Sequence, residues 1–172
     1  MSVGRSSAWW SRNRYGDPEA EPAAGAPLTE LPAGPAGRFR AAREGLLALD
    51  GVAETVRYMG TTWRWAWEYG IGNRKLCWLH LVADTVSTTF TLSDEEVARV
   101  SRLPRLAADV ARAVEEGQRT GPVRWCWLEL AERRQVDGFL RLARHKAGWL
   151  AQRPAPHRAP RLRGGGTAGD GE

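Results

Sequence analysis

Alternation of apolar and polar positions runs through the middle of the chain and predicts β-strands, because successive side chains of a strand point to opposite faces of its sheet. The clearest case is Thr61–Tyr69, where every second residue from Trp63 onward is aromatic. Gly70–Asn73 follows as a hairpin turn, since Gly and Asn accept positive φ. The predicted strands are Glu54–Met59, Thr61–Tyr69, Lys75–Val82, Thr85–Leu92 and Val123–Leu130.

Helical spacing of apolar residues brackets this strand region. From Phe39 to Leu49, apolar residues recur at spacings of three and four, which predicts a helix over Arg38–Leu49. Ser93 and Glu96 have the spacing of a capping box, so a short helix should start at Asp94. Two further helices are predicted at Pro104–Glu116 and Arg133–Leu150.

The predicted order of elements, α-β-β-β-β-α-α-β-α, is typical of an α+β fold. We expect a single antiparallel sheet of about five strands with helices packed on one face. This α+β domain should span residues 37–150. Residues 1–36 are predicted to form a disordered N-terminal arm and residues 151–172 a disordered C-terminal tail, because Pro, Ala and Gly leave few side chains to bury.

Trp9 and Trp10 are unexpected in such an arm, because two exposed indole rings are unfavourable. The arm could dock back on the domain. It could also be a short recognition segment that becomes ordered on binding a partner. The sequence leaves both interpretations open.

Composition and net charge bear on the partners and the location of the protein. The net charge is +5, with 25 basic and 20 acidic residues spread along the chain, which argues against a nucleic-acid partner that would need a concentrated basic face. Cys77 and Cys126 lie in apolar runs, where a free thiol behaves as a small hydrophobe. No apolar run approaches the roughly 18 residues of a membrane span. The sequence therefore predicts a cytoplasmic protein without a membrane partner; its oligomeric state stays open.

The tryptophans are the first candidate site. If the second and fifth strands share a face, five rings form a wall of aromatic surface: Trp63, Trp65, Trp67, Trp125 and Trp127. The plainer interpretation is a hydrophobic core under the helices, since each ring buries roughly 150–250 Å². The functional interpretation is a stacking platform or an apolar pocket for a small ligand.

Polar residues beside these rings are the second candidate. Glu54, Glu68 and His80 lie on predicted strands, and Glu129 follows Trp127 by two positions. If the face is solvated, the carboxylates form ordinary cross-strand ion pairs. If it is covered, burial beside the rings should raise a carboxyl pKa, which is how a general acid is made.

A weaker candidate is an anion site at the hairpin, where Gly70 and Gly72 offer turn amides beside Arg74 and Lys75. A plain turn explains the same residues. The basic side chains of the last helix are equally well explained as a solvated face.

The sequence also resembles a known family. Glu54, Tyr58, Gly60 and Trp65, followed by Lys75–Leu79, resemble the bacterial domain of unknown function 3788 family. The resemblance continues through Thr91-Leu92, Glu116-Gly117 and a last helix with Leu140, Leu142 and Lys146, and so spans about Leu46–Lys146. Two positions depart from the family pattern: Arg64, where the family has Gly, and Leu81, where it has Pro.

This resemblance implies a small α+β fold similar to the YdhG-like group, which includes proteins proposed to handle iron. The family has no established activity, so the resemblance implies no catalytic residues. Iron sites need clustered carboxylates, and the densest acidic run here, Asp94–Glu96, is explained by helix capping. Cys77 and His80 are three apart and fall on opposite faces of a strand, so no metal site or other cofactor is predicted.

These observations favour a non-enzymatic binding module for a small ligand or a partner protein, using the Trp-rich sheet. One alternative is an enzyme with a buried carboxylate or His80 in an apolar cleft. Another is a nucleic-acid-associated protein that uses the Arg-rich last helix. Nothing in the sequence identifies the ligand.

Overall fold

The computed structural model describes residues 5–152, and residues 1–4 and 153–172 lie outside this range. It confirms an α+β fold with one antiparallel sheet, which has six strands in the order β1-β2-β3-β4-β6-β5. The strands are β1 (Val52–Tyr58), β2 (Trp65–Ile71), β3 (Arg74–Val82), β4 (Thr85–Ser93), β5 (Gln118–Thr120) and β6 (Val123–Glu129). The unpredicted strand, β5, consists of three exposed polar residues and has no alternation that could reveal it.

Seven helices accompany this sheet in the described range: α1 (Ser7–Trp10), α2 (Ala26–Glu30), α3 (Ala33–Leu47), α4 (Gly60–Trp63), α5 (Asp94–Val100), α6 (Ala108–Glu115) and α7 (Arg133–Gln152). The capping box at α5 is confirmed, because the Ser93 hydroxyl accepts from the Glu96 N–H and the Glu96 carboxylate accepts from the Ser93 N–H. The helix predicted from Pro104 begins only at Ala108, because Arg105 takes a positive φ of 56°.

The main core lies between the sheet and helices α3, α6 and α7. It contains Phe39 and Leu46 from α3, Phe139 and Leu142 from α7, and the apolar side chains of one sheet face. We call this side of the sheet the helix face. Both cysteines are free and buried in this core.

Strand β3 contains a β-bulge next to the main core. The β2–β3 register moves from Tyr69↔Cys77 to Gly70↔Lys75, so Leu76 has no paired residue in β2. The Leu76 carbonyl instead accepts a hydrogen bond of 2.7 Å from the buried Lys146 ammonium of α7. Burial lowers the pKa of Lys146 to about 8, although Glu96 and the two thiols act against the shift.

The N-terminal arm corrects the sequence prediction. Residues 5–36, predicted to be disordered, lie against the domain and include α1, α2 and the start of α3. The arm pairs with the end of β3 through a bridge between Asn13 and Val82: Arg14 N–H donates to the Leu81 carbonyl at 2.9 Å and Ala83 N–H donates to the Arg12 carbonyl at 2.8 Å. The amino-acid composition gave no sign of these contacts, because backbone hydrogen bonds hold much of the arm.

The predicted strand Thr61–Tyr69 is wrong in its first part. Residues Gly60–Trp63 form the short helix α4, and β2 starts at Trp65. Between them Arg64 adopts φ 60° and ψ −142°, a conformation that L-residues rarely adopt. This reversal breaks the alternation that sequence reasoning assumed, and it sends Trp63 and Trp65 to different faces of the sheet.

Among residues 5–152, none of the helices has both the length and the apolar character that crossing a membrane requires.

Candidate functional site

The five predicted wall tryptophans separate onto two faces. Trp67 is fully buried in the main core, and its indole N–H donates to the Ala24 carbonyl at 2.8 Å. The Trp65 indole N–H donates to the Asp17 carbonyl at 2.7 Å. Trp63, Trp125 and Trp127 instead belong to a second aromatic cluster with Trp9 and Trp10. The single wall is therefore wrong: two of its rings are tied to the arm on the helix face, and three lie elsewhere.

The second cluster covers the sheet face opposite the helices, which we call the tryptophan face. Trp78 stacks on Trp125 with ring centroids 5.4 Å apart, and Trp63 meets Trp125 edge-on at 5.3 Å. Trp10, from the arm, stacks on Trp63 at 5.6 Å. Because β3, β6, α4 and α1 each contribute rings, these contacts join four parts of the chain into one aromatic layer.

His80 lies under this layer and is fully buried. The rings of Trp10 and Trp63 meet its imidazole edge-on, with centroids at 4.9 and 5.5 Å. Its Nε2 is hydrogen-bonded to the Thr89 hydroxyl at 2.7 Å. Burial lowers the pKa of His80 to about 3, so the imidazole is uncharged at neutral pH.

Small polar residues of β4 separate the aromatic residues of β3 from those of β6. Ser87 lies between His80 and Glu129 in the sheet register, and Thr89 lies between Trp78 and Trp127. Ser87 and Thr89 are fully buried. The short side chains of Ser87 and Thr89 are thus flanked by the large rings of β3 and β6. We call this strip the trough, and its floor is polar.

Four polar atoms in this region are buried without a hydrogen-bond partner among the described residues: Trp10 Nε1, His80 Nδ1, Ser87 Oγ and Trp127 Nε1. They are close neighbours. His80 and Ser87 are directly paired across β3 and β4, Trp10 contacts His80, and Trp127 is paired with the Thr89 that binds His80. Buried polar groups are normally paired, and leaving one unpaired costs about 1–3 kcal/mol.

The arm covers the trough. This agrees with the first of the two interpretations of Trp9 and Trp10, in which the arm docks back on the domain. Arg5 forms an ion pair with Glu129 at 3.3 Å, and its guanidinium lies 4.6 Å from the centroid of the Trp127 ring. Trp9 meets the same ring edge-on at 5.5 Å. A buried amide fixes the other end of the segment, because Asn13 donates to the Trp63 carbonyl at 2.7 Å and to the Trp65 carbonyl at 3.2 Å.

The buried carboxylates do not behave as the covered-face hypothesis expected. Burial alone would raise the pKa of Glu68, but hydrogen bonds from Lys75 and Trp78, together with the charge of Arg57, bring that pKa below its ordinary value. Glu54 accepts two hydrogen bonds of 2.8 Å from Arg43 and one of 2.7 Å from the Tyr69 hydroxyl. The expected raised carboxyl pKa is therefore wrong for Glu68, because cationic partners outweigh its burial.

The predicted anion site is partly assembled. Gly70, Gly72 and Lys75 line a polar cleft of about 250 Å³ that also contains Arg57 and Glu68. Arg74 does not line it, since its guanidinium donates to the Leu150 carbonyl at the end of α7. Both cations of the cleft already bind the Glu68 carboxylate, which leaves an anion to compete with that carboxylate.

The remaining candidates separate as the strand alternation requires. Cys77 lies in the main core and His80 lies on the tryptophan face. Within residues 5–152, no three or more Cys, His, Asp or Glu side chains come together in a way that could hold a metal ion. The contact between Lys146 and Leu76 was not expected, because nothing in the sequence signals the bulge that frees this carbonyl.

Comparisons with protein-family models, with curated proteins and with solved structures found no match to the chain.

Proposed function

We propose that this protein is a cytoplasmic, non-enzymatic binding module for a small ligand, and that the ligand binds in the trough of the tryptophan face around His80. One observation carries the proposal: four buried polar atoms that have no partner within residues 5–152 belong to neighbouring side chains of one trough, namely Trp10 Nε1, His80 Nδ1, Ser87 Oγ and Trp127 Nε1. Apolar pockets with a few convergent polar groups are the usual form of a small-molecule site.

The polar floor distinguishes this trough from a hydrophobic core. On the helix face, β4 contributes Val86, Thr88, Phe90 and Leu92, so only one of its four buried residues is polar. Ser87 and Thr89 occupy the corresponding positions on the tryptophan face and remain fully buried. Stability alone does not require these hydroxyls, whereas hydrogen bonds to them can orient a polar ligand.

A small ligand suits the trough better than a protein partner. Three of the four atoms, on His80, Ser87 and Trp127, belong to the sheet that the arm covers, so a protein surface has no direct access to them.

The two alternatives have less support. A general base needs a pKa near neutrality, whereas burial takes that of His80 to about 3. Three of the four arginines of α7 are engaged locally: Arg133 pairs with Asp137, Arg134 pairs with Glu132, and Arg141 donates to the Arg105 carbonyl. A nucleic acid would have to displace these contacts.

Membership of the domain of unknown function 3788 family is also a proposal. It is supported by two of the resembling segments, Lys75–Leu79 and the last helix, which meet at the bond between Lys146 and Leu76. An experimental structure of a family member with a lysine bound to a bulged β3 would support it, and one with a different strand order would refute it.

The test of the proposed function is a ligand screen on the full chain by thermal shift, followed by calorimetric titration of each hit. Ser87→Ala removes one hydroxyl from the trough, and Thr88→Val changes the adjacent buried residue on the opposite face of β4. We expect a true ligand to bind Ser87→Ala about tenfold more weakly, the effect of one lost hydrogen bond. Its affinity for Thr88→Val should stay unchanged. Hits that bind both variants equally, or no hits at all, would refute the proposal.

A further inference from the structure

We propose that the ligand is an uncharged, planar, bicyclic heteroaromatic molecule of the nucleobase type, that it takes the place of the Trp10 indole, and that residues 5–12 move aside to admit it. This inference rests on the proposed function, because it names the ligand class and the gate of the same trough.

The geometry around Trp10 defines a flat slot. One face of the indole stacks on Trp63, with the ring planes inclined by 28°. His80 and Trp9 meet the indole edge-on, with interplanar angles of 77° and 87°. Trp10 is fully buried, so the slot matches a fused bicyclic ring in both thickness and area.

The hydrogen-bonding groups of the slot can bind ring nitrogen atoms that an indole does not have. Trp10 offers a single N–H, which has no partner among the described residues, and carbon elsewhere on its rim. His80 Nδ1 and Ser87 Oγ remain unpaired beside it. A heteroaromatic ring with both an acceptor nitrogen and an N–H donor can satisfy these groups in either tautomer of His80.

Electrostatics favour an uncharged ligand. The imidazole is neutral, and the charged groups that border the layer are already paired, Arg5 with Glu129 and Glu68 with Arg57 and Lys75. A charged molecule entering the layer of rings would lose its hydration without a counter-ion. Stacking between aromatic rings and planar bases adds about 1–3 kcal/mol for each base.

Residues 5–12 are held to the sheet less firmly than the residues that follow them in the arm. Two polar contacts tie residues 5–12 to the sheet: the ion pair of Arg5 with Glu129, and the hydrogen bond from Ala83 N–H to the Arg12 carbonyl. From Asn13 onward the chain is held more firmly, by the Asn13 amide and by the backbone bond from Arg14 to Leu81. Opening would therefore pivot near Arg12, with Asn13 as the fixed end.

The experiment uses full-length Trp10→Ala with Trp9→Ala as its matched control, and the probes are benzimidazole and indole. Both probes are flat bicycles, but only benzimidazole carries an acceptor nitrogen. We expect Trp10→Ala to bind benzimidazole at least tenfold more tightly than it binds indole, and at least tenfold more tightly than Trp9→Ala does. Adding Ser87→Ala to Trp10→Ala should abolish the preference for benzimidazole. Equal binding of the two probes, or binding of neither, would overturn the inference.

The second measurement uses the unmodified chain, so that a failure of Trp10→Ala to fold leaves the question decidable. Saturating benzimidazole should accelerate trypsin cleavage after Arg12 at least fivefold. The Arg12 side chain is already exposed, but its carbonyl is held by Ala83 N–H until the segment moves aside. Unchanged cleavage would overturn the gate. If hits of the ligand screen depend on Ser87 but leave cleavage after Arg12 unchanged, the proposed function stands and this inference fails. If no hit depends on Ser87, the proposed function fails as well.

Discussion

The two faces of the sheet are both buried and both aromatic, but they treat their polar atoms differently. On the helix face, Trp65 and Trp67 donate to backbone carbonyls, Tyr69 donates to Glu54, and Lys146 donates to Leu76. On the tryptophan face, two indole nitrogens, an imidazole nitrogen and a hydroxyl have no partner among the described residues. Burial therefore does not distinguish the two faces. Of the six buried side-chain polar atoms without a partner among the described residues, four lie on the tryptophan face; the other two are the Tyr15 hydroxyl, beside Trp67, and Arg38 Nε in α3.

The covers of the two faces differ as well. The helix face lies under α3, α6 and α7, whose lengths run from 8 to 20 residues. The tryptophan face is covered by arm residues around α1, which has only four residues, and by the equally short α4. A helix of one turn has almost no stability of its own, so its position depends on the indole contacts it makes.

The largest expected effect comes from truncating one fully buried tryptophan on each face. Trp67→Ala should lower the free energy of unfolding by about 4 kcal/mol, because it creates a core cavity and leaves the Ala24 carbonyl unpaired. Trp10→Ala should cost less, about 2 kcal/mol, since the arm can detach while the main core persists. Urea denaturation measures both values. Equal losses would mean that the two faces are energetically one core.

The next effect is a dependence of stability on pH that arises at His80. Its pKa is depressed from an ordinary value of about 6.5 in the unfolded chain to about 3 in the folded protein. The unfolded state therefore binds the proton first. The His80 contribution to stability is complete above pH 6.5 and is lost as the pH falls toward 3, by up to about 1.4 kcal/mol per pH unit.

The window from pH 6.5 to 5 isolates this effect, because the loss tied to the lowered pKa of Glu68 begins only as the pH falls to about 4.5, its ordinary value. Urea denaturation at several pH values in this window should show a steady loss for the natural chain. His80→Asn cannot gain the proton and should give a flat profile. A natural chain with a flat profile would contradict the buried neutral imidazole.

The smallest effect concerns the residue that separates the two faces. Arg64→Gly should raise the free energy of unfolding by about 1 kcal/mol, because glycine adopts the positive φ of this position without strain. Arg57→Gly, near the end of β1, provides a control and should lower stability instead. A loss of stability in Arg64→Gly would show that the Arg64 side chain matters more than its backbone conformation.

Strand alternation and helical spacing were enough to predict the α+β fold, the main sheet and the capped start of α5. They failed at Arg64, because one residue with positive φ reverses which face the preceding residues occupy. They also failed for the arm, whose contacts run through backbone carbonyls such as those of Asp17 and Ala24. Periodicity describes only which side of an element a residue occupies, so it gives no sign of such contacts.

Candidate residues were predicted better than their grouping. His80, Trp63, Trp125 and Trp127 were named from the sequence and do lie together, whereas Trp65, Trp67 and Glu54 belong to the helix face. The roles of Ser87 and Trp10 could not be predicted. Their place in the trough depends on the register between β3 and β4 and on the path of the arm, which involve contacts distant in sequence.

The path of the arm has a consequence for the protein during its synthesis. Trp9 and Trp10 are synthesised about 120 residues before Trp127 and Glu129, which complete the binding surface of the arm. At a translation rate of about 5–20 residues per second, the two indoles wait on the order of ten seconds without their final partners. During that interval the nascent chain displays an unpaired aromatic segment. Factors that shield nascent hydrophobic segments on the ribosome would therefore find a target at the arm before β6 has been made.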